Sequence, residues 1–524
     1  MSPTAGVSRE PLPRLAEVTL DRAFADRLPE LAIPWQAAPV PRPRAVILNE
    51  RLADELGLDP SRLAEPEGLE FLVGRRLAVG SEPVAQLYAG HQFGAYSPML
   101  GDGRALLLGE VRSRDGRLLD MHLKGSGPTP PSRGDGFAAL GPMLREYVMG
   151  EAMHALGIPT SRALAVVSTG RPVHRDDFAR DDRLPGAVLT RIAASHLRIG
   201  TFQLARSRGD LRLLQRLVAF ALERHGPEAI ETDEPALALF QAVVRRQAEL
   251  TAQWMLVGFV HGVMNTDNVM ISGETIDYGP CAFLDVYEPS AVFSSIDHGG
   301  RYAFGAQPAV AKWNLARFAE SLLPIMGEPG TALARAEAAL ATFDVAYTRT
   351  WGEGMAAKFG LPAGTEEVRE LADEWQAILE ARRIDYTSAF RALTNAAGAG
   401  GGGDVSPRDR VSSVAARARA ELGVDHGEGP AEAATAPARR LDAWLASWAA
   451  RDPDAALMAR VNPVTIPRNH ALAAALDAAT DGDLAPVTEL LDAVTHPYEQ
   501  RPEWSHFAGP APASAGRFVT TCGT

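Results

Sequence analysis

Residues 117–125, RLLDMHLKG, alternate strictly: Leu119, Met121 and Leu123 fall on one side, and Asp120, His122 and Lys124 on the other. Period two predicts a strand with an apolar face toward a core and Lys124 among polar groups on the opposite face. A preceding run, ALLLGEV (105–111), reads as its neighbour across a turn at Asp115-Gly116. Short apolar runs broken by glycine continue from Gln86 to about Ala194, including RALAVVSTG (162–170) and GAVLTRIA (186–193). The charged stretch HRDDFARDDR between the last two reads as a solvated loop. Among these strands sits one helix, ALGPMLREYVMGEAMHALG, with Leu140, Leu144, Tyr147, Val148 and Ala152 at helical spacing and Gly157 and Pro159 closing it.

From about residue 206 to 260 the pattern is helical, residues 261–285 return to short strands and turns, and the remainder is mostly helical. The fold expected is α+β and bilobal, with a small β-rich N-lobe, a larger mainly helical C-lobe and a helical C-terminal extension. The boundaries read as 1–80 for a proline-rich N-terminal extension, 81–200 for the N-lobe and 201–395 for the C-lobe. Residues 396–410, within the low-complexity break NAAGAGGGGDVSPRD, read as a flexible loop, and 411–524 as the helical C-terminal region.

Composition narrows the function. A net charge of −13 argues against nucleic acid as a partner, which would want a basic face. No apolar run approaches the roughly 18 residues of a membrane helix. The first residues lack an apolar signal core and carry Glu10, Glu17 and Asp21, so a cytoplasmic protein is expected. Lysine occurs only at positions 124, 312 and 358, with arginine supplying nearly all other positive charge, which singles out Lys124. Two cysteines, Cys281 and Cys522, are too few for a disulfide framework and lack zinc spacing.

The chemistry concentrates in HGVMNTDNVM (261–270) and in IDYG, which places Asp277 nine residues after Asn268. Kinases write this loop as His-x-Asp with an asparagine five residues after the aspartate. His261 and Asn268 keep that spacing, but the aspartate position holds Val263, and an acid stands instead at Asp267. The amide oxygen of Asn268 and the carboxylate of Asp277 are hard ligands suited to Mg²⁺ or Mn²⁺ shared with a nucleotide. Lys124, at a strand end before a helix bearing Glu146, fits the lysine–glutamate pair of a kinase-like cleft; Glu151, on a different helix face, is a second candidate. Gly101 and Gly103 of LGDGRA and the RGDG loop at 133–136 offer turns that backbone phosphate contacts need, and Arg191 and Arg198 suit bidentate phosphate contacts. Valine cannot accept a proton, and general-base assistance is worth about 10²–10⁴-fold. Either the γ-phosphate is not transferred, or the nucleotide sits differently from that of a kinase.

Six segments in order resemble the selenoprotein O (SelO) family: QLYAGHQFGAYSPMLGDGRALLLGEV, LKGSGPTPPSRGDG, MLREYVMGEAMHALGIPTSRALA, RIAASHLRIGTF, HGVMNTDNVMISGETIDYGPCAFLD and NPVTIPRNHALAAAL. The resemblance runs from about residue 40 to the C-terminus. It implies a protein-kinase-like (pseudokinase) fold that binds ATP inverted and transfers AMP, rather than phosphate, to hydroxyl side chains of proteins. It implies nucleotide contacts at Gly101, Gly103, Arg104, Lys124, Asp135, Gly136, Arg191, Arg198 and Asp277, with Glu146 as the partner of Lys124. It implies metal ligation by Asn268 and Asp277 and proton acceptance by Asp267. The RGDG loop is one residue shorter than the family's usual spacing after the lysine, and an insertion follows Val173. Members that end in Cys or selenocysteine imply a redox disulfide between Cys281 and Cys522, closing a loop of about 240 residues and worth at most roughly 5 kcal/mol. In a reducing compartment such a bridge acts as a switch. The residues alone leave two other readings open, a conventional γ-phosphoryl kinase and an inactive nucleotide-binding scaffold.

Overall fold

The computed structural model of the chain describes residues 14–175, 183–226, 232–363, 366–399, 406–423, 436–512, 516 and 518–520. Its N-terminal half is built from β1 (Arg14–Thr19), β2 (Ala32–Pro34), β3 (Arg44–Leu48), β4 (Leu77–Val79), β5 (Val84–Gln92), β6 (Ala95–Gly101), β7 (Ala105–Arg112), β8 (Leu118–Lys124), β9 (Ala138–Ala139), β10 (Arg162–His174) and β11 (Arg183–Ala193). Nine of these form one sheet in the order β2-β5-β7-β8-β11-β10-β3, with β6 added to β5 and β9 to β11; β1 and β4 pair in parallel beside it. The strands expected between residues 105 and 193 are all present, and β2 and β3, from the proline-rich segment before residue 80, take the two ends of the order; of the short strands expected in 261–285, among the described residues only the two-residue Ala282–Phe283 forms.

The alternation of β8 holds, but its polar face does not meet water. Leu119, Met121 and Leu123 pack into an apolar cluster with Leu106 and Leu108 of β7. Asp120, His122 and Lys124 on the other face are equally buried. Pairing with β7 and β11 on its two sides puts β8 in the middle of the sheet, and both faces are covered. Sidedness was legible in the sequence; depth was not, because it depends on what packs above.

The single N-lobe helix spans Leu140–Ala155 and stops where Gly157 takes a positive φ of 79°. It is buried nearly all round, packed on β10 and β11 on one side and on the C-terminal helices Asn469–Thr480 and Ala485–Thr495 on another. The C-terminal extension therefore braces the N-lobe. Helices Ile199–Ser207, Leu211–His225 and Pro235–Val257 carry the chain into the C-lobe, as the helical pattern predicts. A second apolar cluster around Phe359, Trp375, Phe390, Trp444 and Trp448 joins the helices between residues 366 and 449 to the long helix Pro329–Lys358. At the glycine-rich break, helix Tyr386–Gly398 runs into it, helix Pro407–Glu421 follows it, and residues 400–405 lie outside the described ones. Among the described residues no helix is long and apolar enough to cross a membrane.

The hairpin of β5 and β6 ties the lobes together. The His91 amide donates to Thr266 Oγ1 (2.7 Å), and the Phe93 amide donates to Asn265 Oδ1 (3.0 Å). These bonds hold the strand turn directly over the 261–270 loop. Truncating the fully buried Leu123 by Leu123→Ala should cost about 2–5 kcal/mol, read as a lower denaturant midpoint at unchanged slope.

Candidate nucleotide-binding site

At the end of β8 the Lys124 ammonium meets two carboxylates, Glu146 from the buried helix and Asp277 Oδ1 at 2.9 Å from the C-lobe. Glu146, not Glu151, reaches the lysine; Glu151 forms a bidentate pair with Arg162 (2.9 and 2.7 Å). The same helix holds the loop after Asp277 through Arg145, which donates to the carbonyls of Tyr278 and Gly279 (both 3.2 Å) and of Cys281. Asp277 sits at φ 67°, a left-handed conformation rare for a residue with a side chain. Such strain persists only where surroundings dictate it, and it collects at functional sites. Burial pushes the Asp277 carboxyl up, but Lys124 and Arg104 outweigh that and hold it well below the usual carboxylate range.

Two buried arginines face this centre from β11 and the start of helix Ile199–Ser207. Arg191 lies opposite His122 in the β11–β8 register and donates to His122 Nδ1 (3.3 Å) and His196 Nε2 (3.2 Å). Arg198 donates to the Asp267 carbonyl (3.0 Å), stacks over Tyr88 at 4.4 Å from the ring centre and stands 3.7 Å from Asp102 Oδ1. Asp102, between Gly101 and Gly103, accepts from the Gln86 amide (3.1 Å) and from His122 Nε2 (2.9 Å). Burial opposes ionisation of Asp102, yet the hydrogen bond from His122 and the nearby Arg198 hold its carboxyl below the usual carboxylate range.

The 261–277 segment supplies the rest. His261 is buried and donates from Nε2 to the Ile276 carbonyl (2.9 Å), fixing the backbone next to Asp277; burial lowers its pKa, so it stays neutral. Asn268 gives its amide nitrogen to the Val263 carbonyl (3.0 Å) and lies 3.4 Å from Asp277 Oδ2, leaving its amide oxygen to turn elsewhere. Asp267 accepts from Gln92 Nε2 (3.3 Å) at Oδ2, while Oδ1 is buried with no partner among the described residues. Burial pushes its carboxyl up to about 6 despite the pull of Arg198.

These groups open on one cavity of about 340 Å³. Gly101, Gly103, Arg104, Lys124, Asp135, Gly136, Arg191, Arg198, Asp267, Asn268 and Asp277 all line it. Gly136, at φ 72°, has no room for a side chain: a Cβ would lie 2.2 Å from the Pro128 nitrogen. Asp135 is exposed at the rim, paired with Arg175 (3.0 Å), so the base of the charged insertion touches the site rather than only water. Glu146 stands behind Lys124 and does not line the cavity. Cys281 is fully buried, and Cys522 lies outside the described residues.

Sequence reasoning missed Tyr88, Gln92, Asp102, Arg133 and Arg175, which also line the cavity. Asp102 is the centre of Gly-Asp-Gly, where a tight turn alone accounts for an aspartate. Tyr88 and Gln92 sit in an ordinary apolar strand with no chemical signal.

A small β-rich lobe whose strand lysine is paired to a helix glutamate, set against a helical lobe with Asn268 and Asp277, defines a two-lobed protein of kinase-like organisation with a charged cleft. The family model described as "Protein adenylyltransferase SelO" matches residues 15–495, and the chain belongs to this family. It is 55% identical to the protein nucleotidyltransferase YdiU of Mycolicibacterium paratuberculosis over 97% of this chain and 98% of the relative. To the proteins of the same name from Pseudarthrobacter chlorophenolicus and Cereibacter sphaeroides it is 52% and 49% identical, over 97% and 96% of this chain and 98% and 99% of theirs.

With Asp267 active as the carboxylate, kcat/KM should fall about tenfold per pH unit below about pH 6, because the free enzyme's carboxyl protonates there. Initial rates of label transfer between pH 5 and 8 check this; a flat profile through pH 6 would contradict it.

Proposed function

We propose that the chain transfers AMP from ATP to Ser, Thr or Tyr hydroxyls of protein substrates and releases pyrophosphate. The observation that carries this reading is the exchange of positions in the 261–270 loop. Position 263 is a buried valine whose carbonyl only holds Asn268, while the carboxylate of Asp267 enters the cavity beside Arg198 with one oxygen unpaired.

In this mechanism Asp267 accepts the hydroxyl proton as the acceptor oxygen attacks the α-phosphorus. The new P–O bond forms as the bond to the bridging oxygen breaks, and pyrophosphate leaves with the electron pair. Lys124, Arg191 and Arg198 stabilise its charge, and preorganised donors of this kind act most strongly in a water-poor site. Gly101, Gly103, Arg104, Asp135 and Gly136 hold the nucleotide at the cavity wall.

Asn268 and Asp277 would hold a Mg²⁺ or Mn²⁺ ion. The donor set fits: two hard oxygen ligands, one of them kept ionised, match a cation that completes its shell with phosphate oxygens and water. When bound, such an ion neutralises charge on the phosphates and orients them. The cytoplasm, which supplies ATP and acceptor proteins, is the compartment of this reading, and its partners include no nucleic acid.

The Cys281–Cys522 bridge belongs to the same proposal. Its support is the docking of the tail: Thr520 donates through its hydroxyl to the Pro280 carbonyl (2.8 Å) and through its amide to Phe293 (2.8 Å). Burial pushes the Cys281 thiol up to about 12, so Cys281 is a poor attacking group, and closing the bridge would need a two-electron oxidant, a small disulfide or a peroxide, that first oxidises the tail thiol and so gives Cys281 a sulfur to join.

Supplied with α-labelled ATP, the protein should mark acceptor proteins, and with γ-labelled ATP it should not; the reverse pattern would make it a conventional kinase. Asp267→Asn should lower the α-label rate by about 10²–10⁴-fold with ATP still bound. Peptide mapping after mild oxidation should recover a Cys281–Cys522 cross-link, and two thiols that remain alkylatable would remove the switch.

A further inference from the structure

Arg191 is held from behind by two histidines to which the proposed reaction assigns no role. Its Nε donates to His196 Nε2 at 3.2 Å and its Nη2 donates to His122 Nδ1 at 3.3 Å. A guanidinium has five N–H donors and no acceptor, so both imidazole nitrogens must be unprotonated. Each ring's proton then sits on its other nitrogen: His122 Nε2 donates to Asp102 (2.9 Å), and His196 Nδ1 donates to Asp120 (3.1 Å). The rings stack 4.1 Å apart at 17°. Asp120 is fixed in turn by the His196 amide (2.8 Å) and by Arg224 (2.9 Å). A continuous chain, Asp102–His122–Arg191–His196–Asp120–Arg224, crosses the sheet under the cavity.

We propose that His122 and His196 are positioning residues that hold Arg191 in the pose in which it grips phosphate. The pull they resist is visible. Glu146 Oε2 is buried without a hydrogen bond, and Arg191 Nη1 stands 3.9 Å from it. A guanidinium free to turn would close that gap and form a charge-assisted pair, spending its donors on Glu146 and competing with Lys124 for the same carboxylate. With Nε and one Nη2 hydrogen engaged by imidazoles, both Nη1 hydrogens and one Nη2 hydrogen remain for the cavity that Arg191 lines. Neutral imidazoles suit this task. A carboxylate in their place would neutralise Arg191, whereas an imidazole orients it and leaves its charge for the ligand. The chain also joins the two phosphate-facing arginines, because Asp102 stands between His122 and Arg198.

The inference rests on the reading that Arg191 contacts the polyphosphate, and equilibrium binding to the full chain separates the two. ATP and adenosine affinities are measured by calorimetry for Arg191→Ala, His122→Leu, His122→Asn and the double variant His122→Leu/Arg191→Ala. His122→Leu should weaken ATP about tenfold, as expected for the loss of one hydrogen bond to a charged group, with adenosine unchanged. His122→Asn, which keeps an acceptor near the Nδ1 position, should retain most of the affinity. The double variant should bind ATP no more weakly than Arg191→Ala alone, since the histidine acts through the arginine. His122→Gln moves the acceptor off that position while remaining polar, and it should behave as His122→Leu does; it carries the test where leucine prevents folding. The proposal falls if His122→Leu and His122→Gln leave ATP affinity unchanged, if they weaken adenosine equally, or if their effects add to that of Arg191→Ala. An Arg191→Ala variant with unchanged ATP affinity would instead remove the phosphate-gripping role of Arg191 itself.

Discussion

One ammonium group connects the parts of the molecule that must stay in register. Lys124 ends the central strand β8, Glu146 comes from the buried helix, and Asp277 comes from the far lobe. Burying such a cluster is not a net source of stability, because desolvation offsets the attraction. Removing Lys124 is another matter: it leaves Glu146 buried without its partner, at a cost of about 3–5 kcal/mol. The triad therefore works as a registration device. Its geometry is supported from outside, since the helix bearing Glu146 also grips the carbonyls after Asp277 through Arg145, and the two C-terminal helices pack against that helix. The C-terminal extension thus belongs to the site's mechanical support although none of its residues lines the cavity.

The polar face of β8 carries the same logic into the sheet. Asp120 faces Glu110 directly across the β7–β8 pair, an arrangement of like charges that disfavours pairing. The fold answers by keeping Glu110 up at about 7, mainly through burial and the nearby Asp120, and by placing Arg224 between the two acids. Glu110 also accepts the amides of Ala23 and Phe24, both at 2.8 Å, which ties the N-terminal segment to this plane. A layer of paired charged and polar groups, Glu110, Asp120, Arg224, His122 and His196, lies beneath the cavity. Such a layer is rigid because each member has a partner whose loss is expensive.

Much of this was legible in the sequence, for physical reasons that can be named. Strict alternation predicted the side of β8 that carries Lys124, and three-to-four spacing with Gly157 predicted the helix that carries Glu146. The kinase-like spacing of His261, Asn268 and Asp277 placed the metal-binding candidates on one loop. What escaped was set by distant parts of the chain. Alternation reports which way a side chain points, not whether a helix covers it, so the burial of Asp120 and His122 was invisible. The choice of Glu146 over Glu151 was open until Arg162, eleven residues beyond Glu151, was seen to claim it. Asp102 looked like turn chemistry because its partners, Gln86 and His122, lie on two other strands.

The position of Asp267 follows from the same interplay of the lobes. In the loop's own frame it is one residue from Asn268, too close to occupy the place of a base at position 263. It points instead toward the N-lobe, where Gly90 of β5 leaves the space: a Cβ on Gly90 would come within 2.7 Å of Asp267 Oδ1. Gln92, two residues on along the same strand, donates to the other carboxylate oxygen, and Arg198 grips the Asp267 carbonyl. The carboxylate is therefore oriented by the β5–β6 hairpin rather than by its own loop. A side chain at Gly90 would displace it without touching Asn268 or Asp277. The valine at 263 and the glycine at 90 form one device, the first vacating the usual place of the base and the second admitting a carboxylate on the opposite wall of the cleft.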